Sequence, residues 1–191
     1  MNPSNSRTKA MSPIYTIGHS THDLPAFAAL LQASRIERLV DIRTVPRSRT
    51  NPQFNRDTLP DSLIPYGIDY EHLAALGGLR GKSKTTSPAV NGFWENDSFH
   101  HYADYALTDE FRQGLDTLIS LAHAQRCAIM CSEAVWWRCH RRIVSDYLIA
   151  RAIPVFHIMG PGHVDAASLT RGAVVQADAT VLYPLAAQAA G

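Results

Sequence analysis

Thiols are scarce in this chain, and net charge is scarcer still. Three cysteines, Cys127, Cys131 and Cys139, stand among 191 residues. The odd count and the lack of any disulfide-framework spacing point to a reducing, cytoplasmic setting rather than an oxidised secreted scaffold. Lysine plus arginine (18) nearly cancel aspartate plus glutamate (17), leaving +1. The molecule as a whole is therefore no polyanion binder, and any basic surface must be local. No apolar run approaches the roughly 18 residues a membrane helix needs, so no membrane partner is expected. Residues 1–13 (MNPSNSRTKAMSP) lack the apolar stretch of a signal peptide and read as a disordered leader, with Met11 near the structural start. Paired ligands at CxxC spacing are missing, no cofactor is expected, and no internal repeat is visible.

What is there suffices for one domain. With 46% hydrophobic and 18% charged residues, residues 14–185 can bury a single core. Ile14–Ile17, ending at Gly18, reads as a buried strand. Thr21 or Asp23 can cap a helix with Leu24, Phe27, Leu30 and Leu31 on one face. Ile36–Ile42 is a second strand, and this β-α-β unit implies parallel pairing. Residues 43–56 (RTVPRSRTNPQFNR) are irregular and hold the basic stretch. From 35 to 56 there are six arginines against Glu37 and Asp41. A short helix broken by prolines within 57–66, a brief strand at 68–70 and a long irregular segment over 71–100 follow. A helix opening at His100 comes next, then one capped by Thr108. Strands at 127–131 and 153–158 flank a helix over 138–151, and the tail frays at 186–191. Alternating strands and helices predict a three-layer α/β sandwich with a central, mostly parallel sheet of four to six strands.

The chemistry concentrates between Ala128 and Arg142. A buried strand delivers Cys131 to its carboxyl end, where ligands of open α/β sheets bind. Glu133, Trp136, Trp137 and Arg138 follow, and Cys139, His140, Arg141 and Arg142 are expected to crowd the first turn of a helix. The carboxyl ends of the first two strands would bring Gly18, His19, Ser20, Asp41 and Arg43 to the same rim. A thiol becomes nucleophilic when cations or a helix N-terminus lower its pKa, which makes Cys131 and Cys139 candidates and leaves Cys127 a core residue. His19 and Glu133 are candidate proton carriers. Arg43, Arg47, Arg138, Arg141 and Ser20 are candidate anion ligands. Trp136 and Trp137 could stack a base. Cys131, Cys139 and His140, with His19 or His163, also form a conceivable zinc set; the neighbouring arginines oppose a dication, and no metal is expected.

Taken in order, several segments resemble the family called domain of unknown function 488. These are Ile17-Gly18-His19-Ser20, Asp41-Ile42-Arg43 with Pro46 and Ser48, Phe54, residues 70–78 (YEHLAALGG), Cys131-Ser132-Glu133, Cys139-His140-Arg141, His163 and Leu169-Thr170. The resemblance implies a compact, cytoplasmic, mainly prokaryotic α/β protein and names no reaction. A weaker analogy is to rhodanese-like and cysteine-phosphatase domains. The loop here is a residue longer than the phosphatase loop, and Glu133 and the tryptophans stand where small residues are needed. Two functions follow from the residues. One is an enzyme on a phosphorylated or nucleotide-like substrate, using a thiol and anion-holding arginines. The other is a non-catalytic nucleotide or nucleic-acid binder with a structural or zinc-holding Cys/His cluster.

Overall fold

The computed structural model describes residues 12–185. Most of the expected leader, and the expected fraying at 186–191, lie outside the described residues. Six strands form one sheet: β1 (Ile14–Gly18), β2 (Arg38–Asp41), β3 (Asp69–His72), β4 (Cys127–Cys131), β5 (Val155–Gly160) and β6 (His163–Ala166), in the order β3-β2-β4-β1-β5-β6. The first five are parallel, and β6 joins antiparallel at one edge. A two-stranded ribbon, β7 (Val174–Val175) with β8 (Val181–Leu182), follows.

Helices cover both faces. Helices α1 (Leu24–Ala33) and α2 (Leu59–Leu63) pack Phe27, Leu31 and Leu59 against Tyr15, Ile17, Leu39 and Met130. On the other face α3 (Asp97–Tyr105), α4 (Asp109–Ala124) and α5 (Arg141–Ala150) pack Tyr102, Phe111, Leu115 and Val144 against Ile14, Val40 and Ile129. Successive β4 residues thus serve opposite cores, as the two-residue period of a strand requires. The fold is the expected three-layer α/β sandwich.

Local signals explain most element ends. Asp23 caps α1 by accepting from the Ala26 N–H at 2.7 Å, and Thr108 caps α4 through the Phe111 N–H at 3.3 Å. Helix α3 starts at Asp97 rather than His100, because Asn96 Oδ1 accepts from Ser98 N and Phe99 N.

The expectation that β1 pairs with β2 is corrected. A β-α-β unit fixes strand direction but not adjacency, and β4 inserts between them. All five β4 residues are buried, so a strand with no polar face takes a central place. The insertion has a functional consequence. The chain leaves β1 toward the α1 face and leaves neighbouring β4 toward the α5 face. Where adjacent strands send their connections to opposite faces, a crevice opens at their carboxyl ends.

Candidate functional site

That crevice is a cavity of about 420 Å³. Its floor is the end of β1 zipped to the end of β4: His19 N–H donates to the Cys131 carbonyl at 2.9 Å and Ser20 N–H to that of Ser132 at 3.1 Å. Gly18 lies opposite Cys131 in this register. A Cβ on Gly18 would overlap the Glu133 carbonyl oxygen, so only glycine lets the loop after β4 fold back over β1.

Cys139 does not sit in the first turn of a helix, as the sequence suggested. The loop makes a short 3-10 turn at Trp136–Arg138, Cys139 is extended (φ −131°, ψ 150°), and His140 is the N-cap of α5. The bulky tryptophan turn consumes the residues that would have begun the helix. The extended backbone instead places Cys139 against Cys131. One ligand atom from each of Cys131, Cys139 and His140 lies within 4.8 Å of the others.

His140 organises the pair. Its Nε2 lies 3.1 Å from the Ile42 carbonyl, which can only accept, so Nε2 carries a proton. Nδ1 is then the nitrogen free to take or give one. It faces Cys139 Sγ at 3.5 Å and Cys131 Sγ at 3.9 Å. Arg141, 1% exposed, donates from Nε to Cys139 Sγ at 3.3 Å and from NH2 to the Glu133 carbonyl at 2.5 Å. The two thiols are thereby driven apart. Burial disfavours a Cys139 thiolate, but the proton offered by Cys131 and the charge and hydrogen bonds of Arg141 outweigh it, bringing Cys139 down to about 6. Cys131 holds its proton toward Cys139 and is buried as well, which pushes it up to about 12. Cys127, at the far end of β4, is raised to about 11 chiefly by burial, with Arg38 opposing and Glu37 adding to the rise.

The remaining candidates divide into wall and mouth. His19 lines the cavity but is spent as a proton carrier. Nδ1 is 2.9 Å from the Ser20 carbonyl, Nε2 is 3.2 Å from Arg43 NH1, and the ring stacks on Phe54 at 4.3 Å. Burial lowers it to about 4, so it stays neutral. Arg43 is likewise engaged. It donates to both carboxylate oxygens of Asp41, at 2.9 and 2.5 Å, and to the Phe54 carbonyl. Ser20 takes a left-handed conformation (φ 45°) and contributes its backbone to the β1–β4 zipper. At the mouth, Arg47, Glu133 and Arg138 are exposed and line the cavity. Arg47 pairs with Asp57 at 3.1 Å, both being well solvated, a contact worth little.

Trp136 and Trp137 lie outside this lining. One face of Trp136 is occupied by His157 at 4.3 Å, while Trp137 is 46% exposed. Arg142 turns away to Thr170 and Trp94, and His163 pairs with Asp165 on β6. His19 is engaged with Arg43 and His163 with Asp165, so neither joins Cys131, Cys139 and His140 as a fourth donor, and the Arg141 guanidinium against Cys139 would oppose a dication there.

Sequence reasoning named Cys131 first and left His140 among its neighbours. The Cys139-His140-Arg141 triplet was the signal: each member sends its side chain to the same sulfur. Gly78 was missed outright. A Cβ there would overlap the His140 imidazole. We expect Gly78→Ala to cost about 1–3 kcal/mol by overpacking and to displace the ring, read as a changed His140 ring-nitrogen chemical shift. An unmoved resonance at wild-type stability would remove Gly78 from the site.

No curated protein and no solved structure matches the chain. A family model does match, over residues 23–148. That span holds Asp41, Arg43, Cys131, Cys139 and His140 and stops short of Gly18-His19-Ser20 on one side and Leu169-Thr170 on the other. By this match the chain belongs to the family described as domain of unknown function DUF488.

Proposed function

We propose that the cavity is the active site of an enzyme acting on a phosphorylated or nucleotide-like small molecule, with Cys139 as its nucleophile. The observation that carries this reading is the hold on one sulfur by Arg141 Nε and His140 Nδ1, with the Cys131 sulfur within 4.8 Å, at a cavity wall. A buried thiol that serves only packing needs no cation. Arg138 and Arg47 at the mouth are the groups that would meet an anionic substrate. His140 Nδ1 would move the proton near the sulfur, and the Glu133 carboxylate would act as acid or base on the solvent side. Arg43 and His19 would brace the wall rather than touch substrate. Three free thiols suit a reducing, cytoplasmic compartment.

The test is the pH dependence of alkylation of each cysteine in metal-analysed protein. A low-pKa thiolate is abundant but intrinsically less nucleophilic. Cys139 should therefore react about tenfold faster than an ordinary thiol at pH 6 and only at about parity between pH 7 and 8. Its rate should rise through about pH 6 and then level off. Adenosine triphosphate should slow the labelling, and Arg138→Ala should weaken that protection. If Cys139 is inert below pH 8, the nucleophile is lost. Protection that then collapses steeply with salt would favour a non-catalytic binder of nucleotides or nucleic acid. Stoichiometric zinc with thiols inert until chelation would favour a metal centre instead.

A further inference from the structure

We infer that Cys139 and Cys131 form a peroxide-reactive pair, in which Cys139 attacks a small hydroperoxide and Cys131 closes the disulfide. The inference rests on the reading of Cys139 as the nucleophile and assigns the second thiol, which that reading uses only as a proton donor.

Three features of the site carry it. Both sulfurs lie within 4.8 Å of each other and of His140 Nδ1, a gap on the scale of what rotation about the two Cα–Cβ bonds moves a sulfur. The backbone between them is held, by Ser20 N–H on the Ser132 carbonyl and Arg141 on the Glu133 carbonyl, and β4 behind Cys131 is locked on both sides, so the approach falls to the two side chains. Both thiols also line the cavity while being only 6% and 3% exposed. Hydrogen peroxide or a compact alkyl hydroperoxide is small enough to meet them there.

The chemistry balances. The Cys139 thiolate attacks the outer peroxide oxygen. The S–O bond forms, the O–O bond breaks, and the leaving alkoxide takes a proton from solvent and departs as alcohol. Sulfur is oxidised by two electrons to a sulfenic acid, and the peroxide is reduced by the same two. Cys131 supplies the second thiol, still carrying its proton. His140 Nδ1, 3.9 Å away, can take that proton as Cys131 sulfur attacks Cys139 sulfur. The S–S bond forms and the S–O bond breaks. Hydroxide leaves, collects the proton from His140, and becomes water. Two thiols and one hydroperoxide thus give one disulfide, one alcohol and one water. Cys127 is an internal control. It starts the same strand, roughly 13 Å from Cys131 at 3.3 Å per residue, with its thiol directed at the Gln125 carbonyl.

The experiment is hydrogen peroxide titration of the full chain, followed by non-reducing peptide mapping. Two of the three thiols should disappear, with one intramolecular link between the Cys131 and Cys139 peptides, reversed by dithiothreitol. Cys131→Ser, or Cys131→Ala if the serine variant folds poorly, should stop at a sulfenic acid on Cys139 that dimedone captures. Cys139→Ser should slow thiol loss at pH 6 about tenfold. Rapid alkylation of Cys139 at pH 6 without a dimedone adduct or a disulfide would overturn the peroxide pair and leave the nucleophile intact. A slow Cys139 in both assays would overturn both. Links to Cys127 or between chains would overturn the assignment of Cys131.

Discussion

Asp41→Ala is expected to lower the unfolding free energy by about 3–5 kcal/mol, a fall in the thermal midpoint on the order of 10 °C for a chain of this size. The Asp41 carboxylate is wholly buried and takes four bonds. Arg43 supplies one from its N–H at 3.0 Å and two from its guanidinium, and Tyr70 supplies one from its hydroxyl at 2.8 Å. Arg43 is itself 6% exposed. Removing the acid strands a guanidinium in the wall with the Phe54 carbonyl and the His19 imidazole as its remaining partners. The cost is that of an uncompensated buried charge, which far exceeds the net worth of the pair. Asp57→Ala is the contrast. Its pair with Arg47 is about as well formed, at 3.1 Å, but both side chains are more than two-thirds exposed, and the change should stay within about 0.5 kcal/mol. Calorimetry on the two variants decides the matter. A loss at Asp41 no larger than at Asp57 would mean that Arg43 can swing into the cavity, and would return it to the list of anion ligands.

Gly18→Ala should cost about 3 kcal/mol or more, although it adds one methyl group to a position of ordinary backbone conformation. The added carbon would overlap the Glu133 carbonyl, with the Ala134 carbonyl close behind. Neither atom is a flexible tip that can yield. The Glu133 oxygen is also the acceptor for Arg141 NH2, so pushing it away moves the guanidinium from Cys139. Stability and thiol reactivity should therefore fall together: the alkylation advantage of Cys139 at pH 6 should shrink toward that of an ordinary thiol. Chemical denaturation and the alkylation profile check the two effects separately. A variant with a reactive Cys139 and wild-type stability would show that the loop is not held against β1.

Much of this arrangement was readable from the chain because it follows from local periodicity. The uninterrupted apolar run of residues 127–131 marked a buried strand, and the Leu24, Phe27, Leu30, Leu31 spacing marked a helix on one face. The rim at the strand ends was legible for the same reason, since parallel strands must end on the same side. Three things were not. The insertion of β4 between β1 and β2 depends on which strands tolerate burial on both faces, a competition no single segment reveals. The engagement of His19 and Arg43 in the cavity wall depends on Asp41 and Phe54 closing over them. The displacement of Cys139 out of the helix depends on the Trp136–Arg138 turn, whose Trp136 is anchored by His157 on β5. In the first and third cases the deciding partner is distant in sequence, and in the second Phe54 is distant from His19.

The central place of β4 also bears on how the chain is made. Synthesis delivers β1, β2 and β3 long before residues 127–131, yet β1 and β2 have no shared edge until β4 fills the slot between them. A nascent chain on the ribosome can pair β2 with β3 but cannot close the sheet, and pairings this distant in sequence form slowly. Cys139, its imidazole and its guanidinium emerge only after that slot can be filled. A truncated translation product therefore carries no assembled Cys139-His140-Arg141 cluster. The cluster thus assembles in the same step that joins β1 to β2 through β4, before β5 and β6 extend the sheet.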